Sequence, residues 1–290
     1  MPAHGQIIGP DGRRVAFDVH GDPAGPPVLY LHGVPSSRLE VHVFSLADAA
    51  RQAGVKLVAI DRPGIGGTDP RTGRTLLDCA DDVAAVADAL EHPRFALMGY
   101  SAGSPSALAA AIGLADRITT LGVVSGIAPG DLPELGAGQA DEVARMFGWA
   151  RTHPRRLRAM LHGMRLALHA PSLVARAAAK GAPASDRAVL ARAGATAQFA
   201  AMLDAAFEQG IDGVATEFAL AAGPWPFTPD AISVPVRIWH GEQDRNAPIA
   251  AARWLDSTLS DSSLASGAHD GHASMLANQG ATVLTELTRP

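Results

Sequence analysis

Phe95-Ala96-Leu97-Met98-Gly99-Tyr100-Ser101-Ala102-Gly103 is the stretch on which the fold turns. Its first four residues form a short, continuous apolar run, the pattern of a strand buried on both faces of a parallel sheet. From Ala102 to Ala115 small and apolar residues follow at helical spacing. The pentapeptide between them fits Gly-x-Ser-x-Gly. A strand that turns sharply into a helix at such a sequence lifts the serine side chain above the sheet, and small flanking residues relieve crowding around the strained backbone. The helix N-terminus beneath offers unpaired N–H groups to a developing negative charge. Ser101 is therefore the expected nucleophile.

Outward from this point the chain alternates. Upstream, Gln6–Ile8 and Arg13–Val19 read as a hairpin around a turn of Gly, Pro and Asp. Val28–Leu31 is the next strand, Ser37–Ala53 a helix, Leu57–Ile60 a strand and Thr75–Leu90 a helix. Downstream, Ile118–Val124 is an apolar strand. From Leu132 to Ala222 the pattern is helical only, interrupted by Pro154, Pro171 and Pro183. A strand returns at Val234–His240, followed by helices near Pro248–Leu259 and Ala273–Leu287. Asp261–Ser266 is mostly polar, as an edge strand or a loose loop would be. The fold class implied is α/β, a mostly parallel, doubly wound sheet with a helical insertion before the strand near residue 234.

Composition narrows the function classes. The chain has 290 residues, 47% hydrophobic and 18% charged, which suits a globular domain with a sizeable core. A formal net charge of −5 provides no field that would draw in nucleic acid or an anionic membrane, so neither partner is expected. Eight Arg and Lys residues between Arg145 and Lys180 are interspersed with apolar residues and read as the solvent faces of helices. One cysteine, Cys79, allows no intramolecular disulfide. With no N-terminal apolar leader and no membrane-length apolar run, the expected location is cytoplasmic. The 11 histidines form no His-Glu-x-x-His pattern, and the first parallel strand is not followed by a Gly-x-Gly-x-x-Gly loop. No metal and no cofactor is expected. A homodimer is compatible with the sequence.

A serine hydroxyl needs a base, and the base needs an orienting acid. Downstream of Ser101, His240-Gly241-Glu242-Gln243-Asp244 follows a strand, and Gly267-Ala268-His269-Asp270-Gly271-His272 precedes the final helix. The order Ser, Asp, His is the one expected on such a sheet. Together with His32-Gly33-Val34-Pro35, and with Asp61-Arg62-Pro63-Gly64-Ile65-Gly66-Gly67-Thr68, these elements run through almost the whole chain. They make the sequence resemble the α/β-hydrolase superfamily, in its branch with a helical cap.

The resemblance implies a core of residues 1–130 and 224–290 with a cap of 131–223. It implies Asp244 as the acid and His272 as the base, preferred over His269, Glu242 and Asp270. The oxyanion donors would be the backbone N–H groups of Val34 and Ala102. Asp61 and Arg62 would pin the Gly-rich turn. His32, Tyr100, Trp225 and Phe227 are candidates to line a substrate pocket, as are cap residues such as Met146, Phe147, Trp149, Met160, Phe199 and Phe207. The activity implied is hydrolysis of a small to medium carboxylic ester through an acyl-enzyme, with a small ester-like molecule as partner. A thioesterase, a lactonase or a peptidase specific for N-terminal proline would use the same triad. For the peptidase, Glu134, Asp141, Glu142, Asp204, Glu208 and Glu217 could receive an amine, although Tyr100 and Ala102 depart from that family's elbow. A cofactor-independent lyase and a silent small-molecule receptor on this fold are the remaining alternatives.

Overall fold

The computed structural model describes residues 3–289. Eight strands form one sheet: β1 (Ala3–Ile8), β2 (Arg14–Gly21), β3 (Pro27–Leu31), β4 (Lys56–Ile60), β5 (Phe95–Tyr100), β6 (Ile118–Val124), β7 (Val236–Gly241) and β8 (Ser262–Gly267). Their spatial order is β1-β2-β4-β3-β5-β6-β7-β8. β1 and β2 pair as an antiparallel hairpin and β2 meets β4 antiparallel, whereas every pair from β4 to β8 is parallel. The chain steps from β3 outward to β4 and then crosses back over β3 to β5. A doubly wound sheet binds ligands where its winding reverses, beyond the carboxyl ends of the strands on either side. Here those ends belong to β3 and β5, which lead into His32-Gly33 and into Ser101.

The strand at the centre shows why the sheet is covered on both faces. Phe95 and Leu97 of β5 join a core with α3 (Cys79–Ala89), α4 (Ser104–Gly113) and α11 (Ala250–Thr258). Ala96, Met98 and Tyr100 join another with α2 (Leu46–Ala53) and α12 (His272–Leu287). This alternation is the period of two that a pleated strand imposes. β8, at the sheet edge, is covered less: Leu264 packs against the core on the α11 side, but none of its six residues is buried, in keeping with its polar sequence.

Two helices are shorter than their patterns predict. Thr75–Asp78 is a turn instead of a first helical turn, and Asp78 Oδ2 accepts from both the N–H and the hydroxyl of Thr75. The stretch from Ser37 to Ala53 divides into α1 (Glu40–Val43) and α2, with Ser45 at φ 55° between them. A left-handed residue cannot continue a right-handed helix.

Between β6 and β7 lie α5 (Asp141–Thr152), α6 (Pro154–Ala167), α7 (Pro171–Ala179), α8 (Ala184–Leu190), α9 (Ala195–Ala206) and α10 (Asp212–Ala222). This insertion has its own apolar core, around Leu157, Leu161, Phe207 and Phe218. The basic residues from Arg145 to Lys180 are exposed on it. Among the described residues, no helix is long and apolar enough to cross a membrane.

Candidate active site

Ser101 sits directly after β5 at φ 51°, the left-handed conformation of a sharp strand-to-helix turn. The two glycines of its pentapeptide are required by close approach. A Cβ on Gly99 would lie 2.7 Å from Ser104 Cα, and one on Gly103 would lie 2.3 Å from the Leu31 carbonyl oxygen and 2.6 Å from that of His32. The elbow therefore presses against the end of β3. Ser104 hydroxyl donates to the Ser101 carbonyl at 2.7 Å, tying the turn to the first residue of α4.

The Ser101 hydroxyl lies 2.9 Å from His272 Nε2, and the Nδ1–H of the same ring lies 2.7 Å from Asp244 Oδ2. Asp244 follows β7, and its other oxygen accepts the N–H groups of Asn246 and Ala247, both at 2.8 Å. The carboxylate is thus fully used before any ligand arrives. Burial disfavours a charged His272, but Asp244 outweighs it by its charge and hydrogen bond, helped by Asp186 and Glu40. The result is a pKa above the ordinary histidine value. The other buried histidines go the opposite way. Burial lowers His240, whose Nε2–H donates to the Ala247 carbonyl at 2.7 Å, and lowers His32, where the Arg62 cation adds to the effect.

The loop after β3 contributes backbone donors. The Gly33 carbonyl is turned inward, accepting from His32 Nδ1–H at 2.8 Å and from Arg62 at 2.7 Å. A planar trans peptide points its N–H away from its carbonyl, so the Val34 N–H is turned outward, toward the cavity that Val34 lines. The Ser101 carbonyl, held along α4 by Ser104, likewise leaves the Ala102 N–H pointing back out of the helix end. Arg62 also donates to the Ala102 carbonyl at 3.1 Å, so one guanidinium supports both loops. That guanidinium is buried and ion-paired with Glu217 of α10, which also pairs with Arg74.

A cavity of about 1190 Å³ opens above these groups, lined by Ser101, His272 and Val34 from the core side and by insertion residues including Met146, Met160, Phe199 and Met202. Tyr100 lines it. The other three pocket candidates do not. His32 is fully buried beneath the loop, where its Nε2 accepts the Arg62 N–H at 3.2 Å. Trp225 and Phe227 stack on each other at 5.3 Å and join the core beside Trp254, on the α11 side of the sheet. Phe147 reaches the cavity, whereas Phe207 and Trp149 belong to the insertion's own core. Of the rival triad members, His269 is exposed, Glu242 accepts from Ser266 hydroxyl and Asp270 from Asn278. Asp61 holds the N–H groups of Arg38 and Gly67, pinning the Gly-rich turn. Among the described residues, no group of three or more His, Cys, Asp or Glu side chains is placed to hold a metal ion.

Sequence reasoning did not single out Asp186, whose carboxylate bonds the backbone of His272 and Ser274. Those partners are 86 and 88 residues away, and no local pattern announces such a bond. It also assigned Arg62 to the Gly-rich turn alone and Glu217 to an amine site, missing that the two neutralise each other beneath the loops.

A sheet wound in this order, with a strained serine at its switch point, defines a class, and the comparisons agree. The family model described as the alpha/beta hydrolase fold matches residues 26–278, and the chain belongs to that family. A proline iminopeptidase of Xylella fastidiosa is 32% identical over 127 residues, 43% of this chain and 39% of its own length. An uncharacterised hydrolase of Bacillus subtilis is 27% identical over 117 residues, 40% of this chain and 39% of its own. The chain thus spans about two fifths of the length of these curated relatives. An esterase of Rhodococcus sp. ECU1013 superposes with a TM-score of 0.67 at 20% identity, covering 98% of both chains. The enol-lactonase of Burkholderia xenovorans LB400 does so with 0.68 at 17% identity, again over 98% of each. At such identities the likeness is one of fold.

Proposed function

We propose that this protein is a serine hydrolase that cleaves small to medium carboxylic esters through an acyl-enzyme. The observation that carries the reading is the unbroken chain from Ser101 hydroxyl to His272 Nε2, and from His272 Nδ1 to Asp244, at 2.9 and 2.7 Å. In that reading Ser101 Oγ attacks the ester carbonyl while its proton passes to His272 Nε2. The tetrahedral oxyanion is met by the N–H groups of Val34 and Ala102; one such donor is worth about 3 to 4 kcal/mol of transition-state stabilisation. Collapse expels the alcohol, which takes the proton from His272 and leaves Ser101 acylated. Water, activated by the same imidazole, then releases the acid. The raised His272 pKa suits a ring that must hold a proton between the two halves of each step.

The helical insertion acts in this reading as a cap. Its apolar lining residues receive the acyl or alcohol part and exclude water from the acyl-enzyme. No cofactor or metal takes part, and the partner is a small ester-like molecule in the cytoplasm. The iminopeptidase relative raises a second reading, cleavage of an N-terminal proline. That reaction needs a free carboxylate for the substrate amine. Glu217 is committed to Arg62 and Arg74, and Asp141 and Glu142, which line the cavity, are exposed, where water weakens an ion pair with the amine. The ester reading is therefore the better supported.

A panel of p-nitrophenyl esters of rising acyl length, with thioester, lactone and proline p-nitroanilide controls, tests it. Turnover of the esters, falling on the order of 10⁶-fold in kcat in Ser101→Ala, is expected. Full activity of Ser101→Ala on every ester tried would end the proposal.

A further inference from the structure

We propose that Asp186, carried by the insertion, is a positioning residue for His272: its carboxylate caps the first turn of α12 and thereby fixes the imidazole against Ser101. The inference rests on reading His272 as the base.

The first N–H groups of a helix have no partner within it, and a side chain just ahead of the helix ordinarily accepts them. α12 begins at His272, and the residue ahead of it is Gly271, which has no side chain to offer. The acceptor comes instead from α8. Asp186 Oδ2 takes the His272 N–H at 2.9 Å, and Oδ1 takes both the N–H and the hydroxyl of Ser274 at 2.8 Å. The Ser274 hydroxyl in turn accepts the Gly271 N–H at 2.7 Å. Four donors of one helical turn thus converge, directly or through Ser274, on one carboxylate that is only 5% exposed.

Gly271 makes this approach possible. A Cβ there would lie 2.5 Å from Pro183 Cγ and 2.6 Å from Asp186 Oδ2, so any other residue would push α8 off the turn. On the opposite side, the His272 carbonyl accepts from Tyr100 hydroxyl and from Ser125 hydroxyl, each at 3.2 Å. The backbone of His272 is therefore gripped at both ends, by the insertion through its N–H and by the ends of β5 and β6 through its carbonyl. With the backbone held and Nδ1 bonded to Asp244, the ring has little freedom left, and the distance from Nε2 to Ser101 follows from the grip.

Asp186 has an electrostatic part as well. The charged groups facing the ring are Asp244 after β7, Asp186 of α8 and Glu40 of α1, all favouring the imidazolium. His240 of β7 is kept neutral by burial, and the Tyr100 ring packs at 5.1 Å without charge. Replacing Asp186 by its neutral isostere therefore removes one of three anions while leaving the space filled.

The test compares wild type, Asp186→Asn and Ser274→Ala in the full chain. The His272 pKa is read from the NMR titration of the imidazole nitrogens, which needs no substrate, and kcat and KM are read on the ester turned over fastest. Asp186→Asn is expected to lower the His272 pKa by about half a unit or more. It should move the acidic limb of kcat/KM by the same amount and reduce kcat about 10-fold to 100-fold, with KM nearly unchanged. Ser274→Ala, which keeps the charge and loses one anchor, should reduce kcat less and leave the pKa in place. A wild-type pKa and kcat in Asp186→Asn, with only the melting temperature lowered, would overturn the proposal in favour of a purely structural cap. Should wild type cleave none of the esters, the ester reading fails by itself, and the imidazole titration still decides the role of Asp186.

Discussion

The two halves of the candidate site are held in place by different means. Ser101 is fixed by the backbone: a left-handed turn between two glycines, each pressed against neighbouring chain so closely that a Cβ there would force a shift. His272 is fixed by side chains brought from afar, Asp244 from the loop after β7, Tyr100 from β5, Ser125 from just after β6, and Asp186 from the insertion. Each half also leans on one buried carboxylate of the insertion. Glu217 neutralises Arg62, which supports the loops around Ser101, and Asp186 caps the turn that carries His272. The insertion is thus bonded into both halves in addition to roofing the cavity. A half built on chain geometry should fail abruptly when altered, and a half built on hydrogen bonds should fail by degrees.

The largest effect that probes this difference belongs to the His272 half. Asp244→Asn should lower kcat about 10⁴-fold, since the amide no longer holds the ring in the working tautomer. It should also change the pH profile, with the sign set by Asp244. The folded His272 pKa is raised, so its ion pair contributes stability fully present below the unfolded value of about 6.5 and lost as pH rises through the folded value. Activity runs the other way, because the base must be neutral. The residual activity of Asp244→Asn should therefore have its acidic limb at lower pH than wild type, in a kcat/KM profile from pH 5 to 9 (roughly the range around the ordinary histidine value).

Next is Glu217→Gln, which leaves the buried Arg62 guanidinium without its anion. A loss of about 3 to 5 kcal/mol is expected in urea unfolding, with a fall in kcat as the Gly33 and Ala102 carbonyls lose a fixed donor. A variant as stable and active as wild type would break the claim that the insertion supports the Ser101 half. The smallest cost in stability belongs to Gly103→Ala. Its Cβ would meet the Leu31 and His32 carbonyls, and overpacking of this kind costs about 1 to 3 kcal/mol. The activity should nonetheless disappear before the fold does, because the strain falls on the residue pair that sets Ser101.

The same contrast explains what could be read from the sequence. The Ser101 half is local: a strand, five residues and a helix lie next to one another in the chain, and steric demands of that kind select glycine at fixed positions. The strand Ile118–Val124 was legible for a similar reason, since the burial of Leu121–Val124 on both faces leaves an apolar end after the two threonines. The polar β8 could be read as an edge strand because edges carry no such demand. Trp225 and Phe227 were misplaced because nearness in sequence to the insertion does not say which face of the sheet receives the return, and Trp254 captures them on the far side. Asp186 was invisible because a carboxylate that caps a helix from another element leaves no trace at either end except Gly271, and that glycine has many other readings. The candidate residues Ser101, Asp244 and His272 were reached through their order along the chain and the family resemblance, whereas what holds them was not legible.

A Ser101 nucleophile activated by His272 would be open to covalent capture. A fluorophosphonate probe, followed by peptide mass spectrometry of the labelled protein, addresses it without knowledge of the substrate. A single adduct is expected, on Ser101, formed faster as His272 loses its proton and much more slowly in Asp244→Asn. An unlabelled protein, or an adduct on any other serine with Ser101 untouched, would contradict a nucleophilic Ser101.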